Sequence, residues 1–437
     1  LESAYSEAGI ETELAATSPD AGWIQNNAPK LRGGLKKAGT IATVRAAAEV
    51  FDVATGPLTP DHVVYAKSFP LDLAAGDAVT FAQTRGYAPK VAFSSGQAVF
   101  TVDDDPKAAE KTLIATRDGA LVQQLTQAFG GPKYLVEKEY GFIEKWEAES
   151  YRKSVMAGGA SGNRLKNKVC VVTGAAQGFG LGIAEGLLAE GAVVGLADLN
   201  LEGAEAAAME LGGRFGQGRA FAVQVDVANE DSVQQMMRTV VELCGGLDLF
   251  ISNAGVLKAG SVKELEMKDW DFVTKVNYTG YFLCAKYAAR VMAVQNGSAG
   301  PDNWTDIVQV SSKSGLEGSN RNGAYAGSKF GGIGLTQSFA KELVDDRIKV
   351  NSLCPGNFFE GPLWSDPERG LFVQYLRTGK VPGAKTLEDV KKFYESKVPM
   401  GRGCLPSDVV QAVLYTVEQP YETGQAIPVT GGQVMLA

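Results

Sequence analysis

The sequence predicts an α/β protein whose larger part is a doubly wound parallel sheet, preceded by a smaller α/β domain. Six near-continuous apolar runs follow residue 168, and such runs are typical of strands buried on both faces of a parallel sheet. Helical segments separate these runs, which is the order of repeated βα units. A small, polar, glycine-rich stretch at 153–168 precedes them and predicts a linker.

The elements of the larger part can be read off in chain order. The predicted strands are VCVVT, AVVGLAD, AFAVQVDV, LDLFISN, DIVQVSS and IKVNSLC, and the helical segments include GLGIAEGLLAE, SVQQMMRTVVELC and YFLCAKYAARVM. In the smaller domain, HVVYA, KVAFSS and AVFTV predict strands, and DPKAAEKTLIATRDGALVQQLTQAFGG predicts a helix. The triplet Asp103, Asp104 and Asp105 before that helix reads as an acidic turn, with an all-carboxylate metal site as the alternative.

Composition limits the class of protein. The 437 residues are 45% hydrophobic and 21% charged, which is typical of a globular protein of two or three domains. A net charge of −8 argues against a general nucleic-acid binder, and no apolar run is long enough to cross a bilayer. The N-terminus lacks the pattern of a secretory signal. The five cysteines form no CxxC pair, which predicts free thiols and a cytoplasmic protein.

The segment VVTGAAQGFGLGIAEGLLAEG predicts a phosphate-binding turn. A strand ends at Thr173, and Gly174, Gly178 and Gly180 lead from it into a helix. Glycine allows positive φ and close approach of a pyrophosphate to backbone amides, and a helix N-terminus favours negative charge. The next strand ends in Asp198, whose carboxylate can bond a ribose diol and repel a 2′-phosphate, which predicts NAD rather than NADP. An ordinary tight strand-helix turn is the alternative.

The glycine spacing TGxxxGxG and the motifs after it resemble the short-chain dehydrogenase/reductase family over roughly residues 165–437. These motifs are Asp226-Val227, Asn253-Ala254-Gly255, Asn277 within KVNYTG, SSKSG, YAGSK and Pro355-Gly356. The resemblance implies a Rossmann-type sheet and an NAD site. The residues that it assigns to the cofactor are Gly174, Gln177, Gly178, Phe179, Gly180, Asp198, Asp226, Val227, Asn253, Ala254, Gly255, Tyr325, Lys329, Pro355 and Gly356.

Four residues match the catalytic set of that family. Tyr325 and Lys329 lie four apart in YAGSK and would share one face of a helix, and Ser312 ends the strand DIVQVSS. The resemblance implies that Tyr325 is the general base in alcohol oxidation and the acid in ketone reduction. It also implies that Ser312 bonds the reacting oxygen, that Lys329 holds the nicotinamide ribose, and that Asn277 supports a water-mediated proton path. We expect the Lys329 ammonium and the positive charge of the bound nicotinamidium to lower the phenol pKa of Tyr325 from its usual value near 10. Each residue taken singly also has a purely structural interpretation.

Segments outside these cofactor and catalytic motifs narrow the choice of substrate. SKSG, KFGGIGLTQS, KVPMGRGC and YETGQAIPVTGGQVM resemble the family members that interconvert sorbitol 6-phosphate and fructose 6-phosphate. A sugar phosphate needs cations near the pocket, and Lys313, Arg321 and Lys258 are the candidates, each with a surface cation as the alternative. The threonine that usually follows the PG motif is replaced by Glu360, which faces either substrate hydroxyls or solvent. Residues 357–405 correspond to the family's mobile substrate lid.

Residues from about 40 to 155 resemble the C-terminal portion of class II aldolases, as found in aldolase-dehydrogenase fusions. The matching text is GPLTPDHVVYAKSFPL, YAPKVAFSSGQAVFTVDDDPKAAEKT and EKEYGFIEKW. Those aldolases hold a divalent metal through several histidines, whereas His62 is the only histidine of this chain. We therefore predict that residues 1–152 are a truncated, catalytically silent domain without a metal. His62 is expected to make a local hydrogen bond at a turn where VVYA begins a strand.

The leading prediction is an NAD-dependent dehydrogenase, residues 169–437, that acts on a polyol phosphate. Its partners would be this small molecule and further copies of the chain, as a homodimer or homotetramer, because family relatives usually assemble in that way. Two alternatives stay open: a dehydrogenase of a free polyol, deoxysugar or other secondary alcohol, and an NAD-binding regulatory protein. An active bifunctional aldolase is opposed by the missing metal histidines.

Overall fold

The computed structural model describes residues 2–145, 164–368, 370–377 and 379–435. Its strands are β1 Thr43–Ala46, β2 Leu71–Asp72, β3 Val91–Ser94, β4 Ala98–Asp103, β5 Val169–Thr173, β6 Val193–Asp198, β7 Ala220–Gln224, β8 Leu249–Ser252, β9 Thr305–Val310, β10 Ile348–Pro355 and β11 Ala426–Val429. Its α-helices are α1 Glu2–Glu7, α2 Ala21–Lys37, α3 Pro60–Ala66, α4 Ala78–Arg85, α5 Pro106–Thr126, α6 Glu137–Glu144, α7 Gly178–Ala189, α8 Leu201–Phe215, α9 Glu230–Cys244, α10 Met267–Thr274, α11 Gly280–Ser298, α12 Gly323–Leu343, α13 Pro362–Ser365, α14 Leu371–Arg377, α15 Leu387–Glu395 and α16 Pro406–Glu418. We call residues 2–145 the N-terminal unit and residues 164–435 the C-terminal unit.

The C-terminal unit is built on a seven-stranded parallel sheet with the order β11-β10-β9-β8-β5-β6-β7. The chain runs outward from β5 to β7 and then returns to β8 on the other side of β5. Parallel sheets with this change of direction bind ligands at the carboxyl ends of the two strands that flank it. The doubly wound parallel sheet that the sequence predicts is confirmed, and its expected site lies at the ends of β5 and β8.

Each face of this sheet is covered by helices. Val171, Phe250 and Ile307 point into one core, which includes buried residues of α9 and α11. The alternate positions of the same strands, such as Val172 and Ile251, point into a second core against α7, α8 and α16. Burial on both faces explains why these strands are apolar at nearly every position. The six predicted strands and the three predicted helices are confirmed as β5–β10, α7, α9 and α11.

Strand β11 is the element of this sheet that the sequence pattern did not predict. It has four residues, AIPV, at the edge of the sheet beside β10, and Pro428 stands within it. Proline is tolerated on an edge strand because its missing N–H is not needed on the open side. A short, partly exposed edge strand carries too little apolar pattern to be recognised alone.

The N-terminal unit has a mixed four-stranded sheet with the order β1-β4-β3-β2. Strands β3 and β4 confirm two of the predicted strands, and α5 confirms the long predicted helix. Asp105 caps α5 by accepting hydrogen bonds from the backbone N–H groups of Lys107 and Ala108, both at 2.9 Å. Asp103 pairs with Lys90 at 2.7 Å. The acidic triplet is therefore a turn and helix cap, as predicted.

The prediction of a strand at HVVYA was wrong, because this segment forms helix α3. Thr59 caps the helix by accepting a hydrogen bond from the His62 backbone N–H at 3.1 Å, and Pro60 occupies the first turn. A threonine cap followed by proline is a strong helix start, and it outweighs the strand preference of the two valines. The His62 imidazole is buried, and its Nδ1 accepts the predicted local hydrogen bond, from Leu58 N at 3.4 Å. Burial lowers the pKa of His62 from its usual value.

The two units meet at the edge where the parallel strands begin, opposite the predicted site. The contacts are Ile41 O and Asp104 with Asn167 before β5, Lys107 with Gln217 before β7, Val44 with Gly245 before β8, and Lys36 with Asn303 before β9. Helix α2 also packs along α11, where an added Cβ at Gly33 would lie 2.2 Å from the carbonyl oxygen of Gln295. The N-terminal unit is therefore attached to the edge of the sheet that lies away from the carboxyl ends of its strands.

A buried ionic network lies at the centre of this contact. The Arg32 guanidinium is fully buried. Its two terminal nitrogens bind Asp248, Nη1 to Oδ1 at 3.1 Å and Nη2 to Oδ2 at 2.6 Å. Lys36 also binds Asp248, and Gln295 accepts from Arg32 Nη1 at 2.8 Å. Burial by itself would raise the pKa of Asp248, but the charges of Arg32 and Lys36 and their hydrogen bonds outweigh it and hold that pKa well below its usual range. Burial lowers the pKa of Lys36 to about 8.

The predicted linker 153–168 is described only from residue 164 onward, and 153–163 lie outside the described residues. Leu165 is fully buried in the second core, and Asn167 bonds Ile41 O at 3.1 Å. Among the helices described, none is both long and apolar enough to cross a membrane.

Arg32→Met should lower the free energy of unfolding by about 3–5 kcal/mol, because it leaves the Asp248 carboxylate buried without its bidentate partner. The matched control is Arg117→Met, which breaks the half-exposed pair with Glu49 and should cost about 1 kcal/mol or less. Urea unfolding followed by circular dichroism measures both. Equal losses in the two variants would contradict the importance of the buried network.

Candidate active site

Tyr325 and Lys329 lie on α12 and reach the carboxyl end of β9. Lys329 Nζ is 5.6 Å from the centre of the Tyr325 ring and donates a hydrogen bond to Val310 O, the last residue of β9, at 2.9 Å. Ser312 lies two residues beyond, where its hydroxyl accepts from Ser314 N at 3.1 Å and is hydrogen-bonded to the Tyr325 phenol. The tertiary structure thus brings Ser312, Tyr325 and Lys329 together, as predicted.

Burial controls the charge states of this cluster. Lys329 is 4% exposed, and burial lowers its pKa to about 8. Burial also raises the pKa of Tyr325, and the hydrogen bond from Ser312 acts in the opposite direction. The expectation that Lys329 lowers the phenol pKa is therefore not met by these residues alone. The physical reason is that removing the phenolate from water costs more than one hydrogen bond returns.

Asn277 lies on a π-helical turn, Lys275–Thr279, between α10 and α11. Its Oδ1 accepts from Val256 N at 2.8 Å, and its Nδ2 donates to Val256 O at 2.9 Å and to Ser328 Oγ at 3.1 Å. The Ser328 hydroxyl in turn donates to Tyr325 O at 2.7 Å. Single π turns are frequent at functional sites because they redirect one side chain. Asn277 is connected in this way to the Tyr325 helix.

The glycine-rich turn has the geometry that the sequence predicts. Gly174 and Gly178 have φ of +66° and +64°, in the left-handed region that favours glycine. An added Cβ at Gly180 would lie 2.1 Å from Gly174 O, so only glycine fits there. Gln177 precedes α7 without a side-chain cap, which leaves the first amides of the helix directed at the turn. The turn therefore fits the pyrophosphate of a dinucleotide.

The Asn253-Ala254-Gly255 motif is held against this turn by Thr173. The Thr173 hydroxyl accepts from Asn253 N at 3.0 Å and from Ala254 N at 3.1 Å. Asn253 Nδ2 donates to Thr173 O at 2.9 Å. An added Cβ at Gly255 would lie 3.4 Å from Asn277 Oδ1 and 3.6 Å from Lys329 Nζ. This motif therefore forms the surface between the glycine turn and the Tyr325–Lys329 pair.

The remaining predicted cofactor residues lie at the ends of neighbouring strands. Asp198 ends β6, and its carboxylate accepts from Ala176 N and Asn200 N, both at 2.9 Å. Asp226 and Val227 follow β7, where Asp226 accepts from Ala228 N at 2.9 Å. Pro355 ends β10, and Gly356 N bonds Val429 O at 2.9 Å. Phe179 stacks on Phe358, just beyond the PG motif, with ring centres 4.7 Å apart.

Residues 357–405, which we call the cap, cover this end of the sheet with helices α13, α14 and α15. The cap has a small core of its own, made by Phe359, Trp364, Leu371, Phe372, Val381, Val390 and Val398. Glu360, at the step where the family usually has threonine, is exposed. The sequence prediction placed a substrate lid here, and the structure gives it a separate hydrophobic core.

The three predicted phosphate ligands differ in position. Lys313 directly follows Ser312 and is half-buried, and burial lowers its pKa. Arg321 is exposed, has φ of +56°, and approaches Glu264 at 3.7 Å. Lys258 is exposed in the segment after Gly255. Across the described residues, no group of three or more His, Cys, Asp or Glu side chains is arranged to hold a metal ion.

Sequence reasoning missed two residues that shape this site. Ser328 joins Asn277 to the Tyr325 helix, and Phe358 stacks on the glycine turn. Ser328 stands inside the YAGSK motif, so its place one residue before Lys329 was the available signal. No sequence signal marked Phe358, because its contact with Phe179 depends on how the cap folds back onto the glycine turn.

Comparison with known proteins agrees with this geometry. The family profile described as short chain dehydrogenase matches residues 168–363. Sorbitol-6-phosphate 2-dehydrogenase of Escherichia coli K12 is 38% identical over 272 residues, which cover 62% of this chain and 99% of that protein. The crystal structure of sorbitol-6-phosphate 2-dehydrogenase SrlD from Erwinia amylovora is 38% identical with a TM-score of 0.56, covering 61% of this chain and all of that one. The uncharacterized oxidoreductase YuxG of Bacillus subtilis is 27% identical over 414 residues, 86% of this chain and 57% of that protein.

The chain belongs to the short-chain dehydrogenase/reductase family and is an oxidoreductase. Members of this family typically use a nicotinamide cofactor. The fold class and the family prediction are confirmed for the C-terminal unit. The profile match lies within the C-terminal unit, whereas the match to YuxG, which covers 86% of the chain, also includes part of the N-terminal unit.

Gly180→Ala should weaken binding of the nicotinamide dinucleotide at least tenfold, because the new Cβ would collide with Gly174 O and distort the turn. Gly213→Ala on α8 is the matched control, since nothing lies within 4 Å of its Cβ position. Titration of NADH fluorescence measures both. Unchanged affinity in Gly180→Ala would show that the turn does not contact the cofactor.

Proposed function

We propose that the protein is an NAD-dependent dehydrogenase that interconverts a polyol phosphate and its ketose phosphate, with sorbitol 6-phosphate and fructose 6-phosphate as the pair. The observation that carries the proposal is the convergence of Ser312, Tyr325 and Lys329 at the end of β9, beside a glycine turn that fits a dinucleotide. The similarity to sorbitol-6-phosphate 2-dehydrogenases over 62% of the chain supports the choice of substrate.

In this proposal Tyr325 takes the hydroxyl proton when the alcohol is oxidised and returns it when the ketone is reduced. Ser312 hydrogen-bonds the reacting oxygen and, through its bond to the phenol, favours the phenolate. The buried Lys329 ammonium binds the nicotinamide ribose while its bond to Val310 O fixes its position. Asn277, held between Val256 and Ser328, supports the proton path to solvent. A bound nicotinamide supplies the hydride acceptor or donor.

NAD is proposed over NADP because of Asp198. Its carboxylate ends β6 beside the glycine turn, and Ala176 N and Asn200 N fix its orientation. A carboxylate in that position favours a ribose diol and repels a 2′-phosphate. The other predicted cofactor residues include Asp226 and Val227 after β7, Asn253 to Gly255 after β8, and Pro355 and Gly356 at the end of β10, and this position near the carboxyl ends of the strands supports the proposal.

A free polyol is the second candidate substrate, and the exposure of two predicted phosphate ligands favours it. Lys258 is exposed, and the Arg321 guanidinium is exposed and already approaches Glu264. Neither side chain is held in place for phosphate by the contacts it makes. An NAD-binding regulatory protein is the third candidate, and the complete set of Asn277, Ser312, Tyr325 and Lys329 argues against it.

We propose a catalytically silent role for the N-terminal unit. It contacts the edge where the strands of the large sheet begin, whereas Ser312 and Tyr325 lie at the opposite edge. Its contacts with the C-terminal unit, including the ion pair of Arg32 with Asp248, support a structural role for the N-terminal unit. The resemblance of residues 40–155 to class II aldolases remains a proposal about its origin.

Tyr325→Phe should lower kcat/KM by a factor of about 10²–10⁴, because it removes the group that moves the proton. The measurement is NADH absorbance with a panel of polyols and polyol phosphates, repeated with NADP in place of NAD. The control is Tyr421→Phe, whose ring is 98% exposed and which should be unchanged. Turnover of free polyols alone would select the second candidate. No turnover across the panel, with NAD binding intact, would select the regulatory protein.

We also propose a homodimer or homotetramer that forms through α11 and α12. These helices expose Phe282 and Phe330, 43% and 46% accessible, so that each helix presents a large apolar side chain to solvent. Phe282→Glu with Phe330→Glu should therefore shift the assembly toward monomers in light scattering. Met209→Glu on α8, also exposed, is the control. An unchanged mass in the double variant would contradict this interface.

A further inference from the structure

The cap begins in direct contact with the glycine turn. The Phe358 ring stacks on the Phe179 ring, with ring centres 4.7 Å apart and an angle of 26° between the ring planes. A little further along the cap, Pro362 Cδ lies 3.9 Å from the position that a Cβ at Gly178 would occupy. Gly178 and Phe179 are the first two residues of α7, the helix that follows the turn. The start of the cap therefore contacts the N-terminal end of this helix.

The end of the cap returns to the same helix. Cys404 N bonds Asn357 O at 2.8 Å, which joins the end of the cap to its start. Pro406 opens α16 directly after the cap, and an added Cβ at Gly182 of α7 would lie 2.3 Å from Pro406 Cβ. Because Gly182 has no side chain, Pro406 packs directly against the backbone of α7. Both ends of the cap are thus connected to the helix that follows the glycine turn.

The Phe358 ring is fixed by its own turn. Gly361 N bonds Phe358 O at 3.1 Å, and an added Cβ at Gly361 would lie 2.4 Å from Phe358 Cδ1. The ring therefore lies across a position where any side chain would displace it. The next residue, Phe359, is buried in the core of the cap, with its ring centre 5.0 Å from that of Trp364. Two neighbouring phenylalanines thus connect the core of the cap to the glycine turn.

The stack acts on a residue that carries a phosphate-binding group. The first four N–H groups of an α-helix have no partner inside the helix, and they are the groups that bind a phosphate at a helix N-terminus. Phe179 is the second residue of α7, so one of these N–H groups belongs to it. Its side chain packs on the second core and is stacked by Phe358, so two contacts hold it. Restraint of the side chain restrains the N–H group of the same residue.

A turn built from glycines gains from such a restraint. Glycine loses more conformational freedom on ordering than any other residue, and the turn contains Gly174, Gly178 and Gly180. A contact that orders the turn before the ligand arrives lowers the cost of ordering it during binding. The stack of Phe358 on Phe179 is such a contact, because it is present in the structure without a ligand.

We propose that Phe358 is a positioning residue for the nicotinamide dinucleotide, and that its stack on Phe179 holds the first turn of α7 in the conformation that receives the pyrophosphate. The inference rests on the proposed function, because its ligand is the dinucleotide of that site. It gives the cap a part in cofactor affinity in addition to the role of substrate lid that the sequence predicts. Only molecules with the turn in place bind the dinucleotide, so loss of the stack weakens binding in proportion to their fraction.

The test is Phe358→Leu, which keeps an apolar side chain and removes the ring. The Kd for NADH, measured by titration of NADH fluorescence, should rise by a factor of about three to ten, which is the factor that an aromatic pair supplies. Phe358→Tyr keeps the ring and should restore the Kd to within about twofold of the parent value. The matched control is Phe393→Leu, because Phe393 is also half-buried in the cap and its ring pairs with that of Tyr394, at 5.4 Å. The control should bind NADH like the parent, and circular dichroism confirms that each variant is folded.

A double-mutant cycle separates positioning from a general loss of cap structure. Phe179→Leu removes the same stack from the other side, so the double variant should bind NADH within about twofold of the weaker single variant. Losses that multiply in the double variant, or a Kd of Phe358→Leu equal to or below that of the parent, would overturn the inference.

The cycle uses no polyol, so its result is independent of the proposed substrate. A parent that binds NADH but oxidises no polyol phosphate contradicts the proposed function alone, and the cycle still decides the role of Phe358. If the parent binds NADPH more tightly than NADH, the choice of NAD fails, and the same cycle with NADPH decides the inference.

Discussion

The buried carboxylate of Asp248 is the interaction on which the two-part architecture depends. It stands directly before β8, and its Oδ2 accepts from Val169 N at the start of β5, at 2.8 Å. Its backbone carbonyl accepts from Asp306 N at 3.0 Å, which adds β9. The same carboxylate binds Arg32 and Lys36 of α2. One residue thus fixes the beginning of three central strands, and its buried charge, which also attaches the N-terminal unit, is stabilised by its pairing with Arg32 and Lys36.

Because the N-terminal unit is attached at the opposite edge of the sheet, the carboxyl ends of the strands stay available for the proposed active site. The glycine turn after β5, the Asn253 motif after β8 and the Ser312 loop after β9 meet there because parallel strands end at one edge of a sheet. Thr173 connects the first two through its hydroxyl. Lys329 connects the third to α12 through Val310 O. In the proposed mechanism a scarcity of histidine is no obstacle, since Tyr325 transfers the proton and Lys329 binds the cofactor.

The cap adds a second level of organisation. Its own hydrophobic core, around Phe359 and Trp364, lets it hold its shape beside the sheet. The aromatic rings do two things, because they build that core and they orient Lys380 and Lys397.

The parallel sheet, the glycine turn and the candidate set of Asn277, Ser312, Tyr325 and Lys329 could all be predicted from the sequence. Those features depend on local apolar period and on motifs a few residues long, which a single stretch of chain displays. The strand predicted at HVVYA was wrong, because the Thr-Pro helix start before it outweighs the strand preference of the valines.

Which charged side chains meet could not be predicted from the sequence, because it depends on how the chain packs. The pair of Arg32 with Asp248 joins residues 216 positions apart. The pKa of Tyr325 is likewise set by burial, which no motif contains. Long-range contacts and the desolvation of buried groups exist only in the folded chain. They set the charge pairs and the pKa values that short sequence motifs do not contain.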